Sequence, residues 1–168
     1  MNKHLLFKLF VILAASTLLS CNPNSDQTNS ETKSTAIMQK EEKQHIEKLL
    51  ERYKQSLNTS DAALAQSLYT KDGIFMPTEA PSAIGSEEIL KSYTFIFSQI
   101  QLNIEFYIDE IEVEGNLAFA VTSSKGTTLI HATGDTIPEA NRELFVFEKV
   151  DGEWKIARYM FNKNEPKS

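Results

Sequence analysis

The 168-residue chain has a single cysteine, Cys21, so no disulfide can form within it. No apolar run reaches the roughly 20 residues that a membrane-spanning helix requires. The strongest, LFVILAASTLLS, stops at twelve. Basic residues are the scarcer charge, 17 Lys and Arg against 23 Asp and Glu, a formal −6. An acidic chain gains nothing electrostatically from nucleic acid or bare anionic lipid, and neither is an expected partner. There are only three histidines, and no pair of His or carboxylate residues stands at metal-ligand spacing, so no metal and no cofactor are expected. What the chain does have is 41% hydrophobic residues, enough at this length for one domain with a real core.

The first twenty residues stand apart from that domain. MNKHLLFK carries Lys3, His4 and Lys8, and the twelve-residue apolar run follows, the layout of a secretory signal peptide over residues 1–20. Leu18-Leu19-Ser20-Cys21 resembles the bacterial lipobox, which implies cleavage before Cys21, lipidation of that residue and a membrane held through the lipid. The alternative is an ordinary signal with an incidental cysteine. Asn22 in place of Asp points weakly toward the outer membrane, and the expected location is the cell envelope, facing the periplasm or the outside. Loss of the leader removes Lys3 and Lys8 but no acid, leaving 15 basic against 23 acidic residues, a charge of −8. NPNSDQTNSETKST is nearly free of large apolar residues, so residues 21–40 are expected to be a flexible tether.

From Glu41 the pattern changes. Ile46, Leu49, Leu50, Tyr53 and Leu57 recur at helical spacing and predict an amphipathic helix ending near Asn58. Ser60 or Asp61 caps a short second helix, AALAQSLY; Asp72-Gly73 turns the chain into a strand, IFMP. A third helix is expected after Gly85, with Ser86 at its cap and Ile89, Tyr93, Phe97 and Ile100 as its buried stripe. Thereafter the period falls to two. Ile104, Phe106 and Ile108 share one side and Ile111 and Val113 the other, a parity slip that predicts a bulge near Asp109. Three helices followed by long antiparallel strands make an α+β fold over residues 41–163, with 164–168 as a tail.

This order, with the phrases Tyr53-Lys-Gln-Ser-Leu-Asn-Thr-Ser-Asp61, Leu68-Tyr-Thr-Lys-Asp72-Gly, Gly85-Ser-Glu-Glu-Ile89, Leu117-Ala-Phe-Ala-Val121 and Asp151-Gly-Glu-Trp154-Lys-Ile156, resembles the nuclear transport factor 2-like superfamily. The likeness is strongest to its SnoaL-like and ketosteroid-isomerase-like branches. It implies a cone, with three helices packed in a curved antiparallel sheet, a cavity at the open end and often a homodimer through the outer sheet face. The same fold hosts isomerases, dehydratases, cyclases and pure binding modules, so it does not give function.

The two-residue Asp151-Gly152 turn sets hairpin pairs: Phe147 opposite Ile156, Phe145 opposite Arg158, Glu143 opposite Met160. One face then reads Glu143, Phe145, Phe147, Trp154, Ile156, Arg158 and Met160, and is expected to look inward. The other, with Leu144, Val146, Tyr159 and Phe161, is too apolar for open solvent, and a second subunit is its simplest cover. Glu143 and Arg158 would lie diagonally on the inner face, where they pair, share a ligand, or form a plain salt bridge at the sheet's end.

The resemblance carries a catalytic pattern in part. In the isomerase branch a helix-borne tyrosine and an acid on the next-to-last strand hold the substrate oxygen while a second carboxylate takes the proton. Tyr53 and Glu143 match the first two; where the base should stand there are Met76 and Pro77, neither of which accepts a proton. Glu79, close in sequence, and His131 are the substitutes, and a lone histidine such as His131 is more often an ordinary strand-end residue. The reading is therefore a lipid-anchored domain binding a small, mostly apolar or amphipathic molecule with a polar or anionic group. Arg158 would be its anchor, with Tyr53, Tyr93, Phe97, Glu143, Phe145 and His131 around it. An isomerase- or dehydratase-like enzyme and a ligand-free envelope interaction module are the alternatives. The aromatic residues Tyr69, Phe75, Tyr93, Phe97, Phe106, Phe145, Phe147 and Trp154 serve as core or as pocket lining.

Overall fold

The computed structural model describes residues 25–164, with side chains from residue 36. The expected signal peptide, Cys21 and residues 165–168 of the tail lie outside the described residues. In chain order the elements are α1 (Ser25–Asn58), α2 (Ala62–Ser67), β1 (Tyr69–Met76), β2 (Ala83–Ile84), α3 (Gly85–Gln99), β3 (Ile100–Glu114), β4 (Leu117–Ile130), β5 (Thr136–Val150) and β6 (Glu153–Lys163). The strands form one sheet in the order β2-β1-β6-β5-β4-β3, with the helices on its inner face. The fold is α+β, as expected. The sheet is mixed rather than purely antiparallel, because β1 runs parallel to β6.

α1 buries Ile46, Leu49, Leu50, Tyr53 and Leu57 in the predicted stripe. The expected tether is corrected from Ser25 onward, where the backbone is helical. Residues 25–40 contain neither Gly nor Pro and continue in phase from the packed helix, so each added turn gains hydrogen bonds without a new nucleation step. Composition still shows in the burial, since Ala36 to Glu41 are all exposed. Asp61 caps α2 by accepting from the Leu64 N–H. At α3 the expected Ser86 cap is replaced: the cap position is Ile84, two residues earlier, and Glu88 reaches back to accept from the Ile84 N–H at 2.8 Å.

Two bulges decide which side chains meet the helices. The first is at Asp109, where expected: Ile108 pairs with Thr122 and Glu110 with Val121, which turns Ile111 and Val113 inward. The second was not expected. The Asp151-Gly152 turn has the positive φ values of a tight hairpin, 50° and 83°, and Phe147 faces Ile156 as predicted. Beyond that pair Val146 faces Arg158, Phe145 faces Tyr159 and Glu143 faces Phe161, leaving Ala157 as an extra residue in β6. The strict register would have buried the Arg158 guanidinium and turned Tyr159 and Phe161 to the outer face. Burying an unpaired charge costs several kcal/mol, so the bulge is the favourable solution. Elsewhere β3 and β4 approach so closely that a Cβ at Gly126 would stand 2.0 Å from the Asn103 carbonyl oxygen, and only glycine fits.

Candidate functional site

Between α1, α3 and the inner face of the sheet lies a cavity of about 590 Å³. Its walls are mostly apolar: Leu57 from α1, Phe95 and Ile96 from α3, Leu102 and Ile104 from β3, Phe75 from β1, and Phe161 from β6. Pro77, Thr78, Ala80 and Pro81 line it from the β1–β2 connection. Apart from Thr78, Ser92 and Lys163, the polar lining falls into two groups. One is a cluster of tyrosines, of which Tyr53, Tyr93 and Tyr159 face the cavity. The Tyr93 hydroxyl bonds that of Tyr53 at 2.5 Å and that of Tyr69 at 2.8 Å. Burial pushes all four phenols well above their ordinary range, so they act as neutral hydroxyls.

The second group is a row along β5. Alternation puts Glu139, Asn141 and Glu143 on the cavity face, all buried. Thr122 on β4 donates to Glu143 Oε2 at 2.5 Å, and Thr128 donates to Glu139 Oε2 at 2.9 Å. Asn141 Nδ2 donates to Glu139 Oε1 at 3.0 Å and to Ser124 Oγ at 3.2 Å, while its Oδ1 is buried with no partner among the described residues. Lys163 Nζ stands 3.8 Å from Glu139 Oε2 with its side chain largely in solvent.

Of the residues expected from sequence, Tyr53, Tyr93 and Glu143 meet at this cavity. Phe97 and Phe145 lie behind its wall: Phe97 packs on Tyr93, and Phe145 stacks on Tyr159 with ring centroids 4.2 Å apart. Arg158 is the main correction. The bulge turns it outward, where Nη1 donates to the Ala157 carbonyl at 2.6 Å, and it forms no pair with Glu143. His131 is exposed beyond the end of β4, a ring nitrogen 3.0 Å from the Ser98 carbonyl oxygen, and does not line the cavity. Glu79 is exposed at positive φ between two lining residues without lining the cavity itself. Tyr159 and Phe161 were expected on the outer face and are inside. Glu139, Asn141 and Thr128 were missed. Extending the Glu143 alternation four residues upstream would have found the first two.

Burial, with repulsion from Asp109 and Glu139, raises the Glu143 carboxyl above its usual range, against hydroxyl donation from Thr122 and Ser124. A raised folded value means that stability is intact below the unfolded value, about 4.3, and is lost as pH rises through the folded one. Glu143→Gln is therefore expected to gain on the parent chain as pH rises from 4 to 7, the two converging in acid. Urea unfolding at a series of pH values checks this, and an offset independent of pH would refute it.

The model of the SnoaL-like domain matches residues 46–161. Among solved structures, a ketosteroid isomerase-like protein from Erwinia carotovora atroseptica is 31% identical, with 72% of this chain and 95% of that chain covered and a TM-score of 0.69. A nuclear transport factor 2-like superfamily protein from Salmonella enterica is 22% identical over 75% of this chain and 93% of its own, with a TM-score of 0.66. A conserved protein from Planctomyces limnophilus shares 19% over 73% and 98%, with a TM-score of 0.65. Comparison with curated proteins finds no match.

Proposed function

The chain belongs to the SnoaL-like domain family, in the nuclear transport factor 2-like superfamily, and from that premise we propose that it binds a small, mostly apolar molecule without transforming it. The family has both ligand-binding and isomerase or hydratase members, so the choice rests on the site. The observation that carries it is the cavity: about 590 Å³ falls within the range of roughly 300–1,000 Å³ typical of small-molecule pockets, and apolar walls converge on a few polar groups. Met76 and Pro77 stand where the resemblance places a base, and neither takes a proton. The tyrosines and the β5 row supply the polar end that Arg158 does not.

The neutral dye Nile red is expected to bind the full chain saturably, one per chain, with a blue shift. Leu102→Trp, which fills the cavity from a half-buried wall position, should abolish that binding. Binding untouched by Leu102→Trp, or none by the parent, overturns the reading.

A catalytic reading has one observation in its favour: the Tyr53 and Tyr93 hydroxyls and Glu143 reach the same cavity. It predicts deuterium uptake next to the carbonyl of a cyclic ketone, lost in Tyr53→Phe, and proton NMR decides it.

We further propose that the domain is lipid-anchored in the cell envelope through Cys21, on the support of Leu18-Leu19-Ser20-Cys21 after a charged and apolar leader. A second copy covers the outer sheet face, where Phe119, Leu144 and Met160 remain exposed on adjacent strands. Sedimentation of the chain is expected to give a dimer that Leu144→Glu separates into monomers. A monomeric parent would remove this proposal.

A further inference from the structure

Resting on the binding reading above, we propose that the ligand is an apolar amine whose ammonium group is held by Glu139, Asn141 and Glu143. The row is an array of acceptors. Asn141 uses its amide nitrogen on Glu139 and Ser124, and the orientation is fixed, since the flipped amide would set its oxygen against the Glu139 carboxylate. What remains of that side chain is a carbonyl oxygen, more than nine-tenths buried as a residue and without a partner among the described residues. An unsatisfied buried acceptor of this kind costs free energy until a donor arrives.

The flanking carboxylates point to the same chemistry. Glu139 and Glu143 are both on the cavity face, and neither has a buried basic partner. The cation near them is Lys163, at 3.8 Å from Glu139, with its side chain 60% exposed at the end of the sheet. The hydroxyls of Thr122 and Thr128 each satisfy one carboxylate oxygen without cancelling charge, and Lys163 offsets part of the charge on Glu139 alone. With Arg158 on the far face and Lys163, the cation among the described lining residues, drawn to Glu139, an anionic ligand would meet two carboxylates and a carbonyl. An alkyl or arylalkyl ammonium brings a charge of the right sign and N–H donors, while its tail lies against the apolar walls.

The test titrates the full chain calorimetrically with three probes sharing one tail: 4-phenylbutylamine, 4-phenylbutanol and 4-phenylbutyrate. The amine is expected to bind at least about tenfold tighter than the alcohol, as charge-assisted bonds in a desolvated site allow, and the carboxylate weakest. Glu143→Gln should shrink the preference for amine over alcohol. Glu139→Gln provides the same comparison should the first variant fail to fold. Equal affinity for amine and alcohol, or tighter binding of the carboxylate, overturns the ammonium assignment and leaves the cavity reading standing. Loss of Nile red binding by the parent chain overturns the cavity reading itself.

Discussion

Phe145→Ala is expected to destabilise the domain by about 3–5 kcal/mol, the cost of removing a fully buried phenylalanine whose site cannot collapse. The Phe145 ring is wholly inaccessible and is contacted on several sides. It stacks on Tyr159 at 4.2 Å and on Phe147 at 5.8 Å, and meets the edges of Tyr53 at 5.5 Å and Phe106 at 6.0 Å. Those partners are held by one helix and three strands, so none can move in without breaking its own contacts. Thermal unfolding should show a fall in Tm of roughly 10–20 °C. Because Phe145 backs Tyr53 and Tyr159, Nile red binding should weaken as well. A loss below about 1 kcal/mol would mean that the aromatic stack is not the rigid back wall of the cavity.

Tyr159→Asp is the second large effect. Tyr159 is the residue that the extra Ala157 of β6 brings inside in place of Arg158. It is buried, stacks on Phe145 and Phe75 with ring centroids 4.2 and 5.6 Å apart, and meets the edge of Tyr53 at 5.3 Å. A carboxylate there loses those aromatic contacts and has no basic partner in the stack, a cost of roughly 3–5 kcal/mol or more. The variant is expected to unfold at much lower urea concentration and to bind no Nile red. Deletion of Ala157 should be far milder, because it closes the bulge and leaves Arg158 opposite Val146 and Tyr159 opposite Phe145. If Tyr159→Asp retained both stability and dye binding, the register described for β6 would be wrong.

The element order, the helix stripes and the first bulge were legible because each is written in residue spacing. Ile104 and Ile111 differ in parity, and a strand can bury both only by inserting a residue between them. The second bulge was hidden by composition. In ARYMFNK the two parities are both apolar enough to pass for the inner face, Met160 on one and Tyr159 with Phe161 on the other. What decides between them is the charge on Arg158, weighed against the hairpin turn, and a turn rule applied without that weight places the wrong side chains inside. Tyr53, Tyr93 and Glu143 were found because helical stripe and strand alternation placed them correctly. The acceptor row was missed because Glu139 and Asn141 carry no motif. They become a site only once the opposite strand shows which of their atoms are already satisfied.

The parallel pairing of β1 with β6 joins Tyr69 to Ile156 and Met76 to Met160, strands from opposite ends of the folded region. A ribosome adding about 5–20 residues per second exposes β1 for several seconds before its neighbour exists. The sheet is thus finished last, not first, during synthesis. A chain terminated before Glu153 would keep every helix and five strands yet leave β1 and β5 each with an open edge, the kind that recruits other chains into aggregates. Premature stops in the final eleven-residue strand should therefore yield insoluble protein rather than a weakened domain.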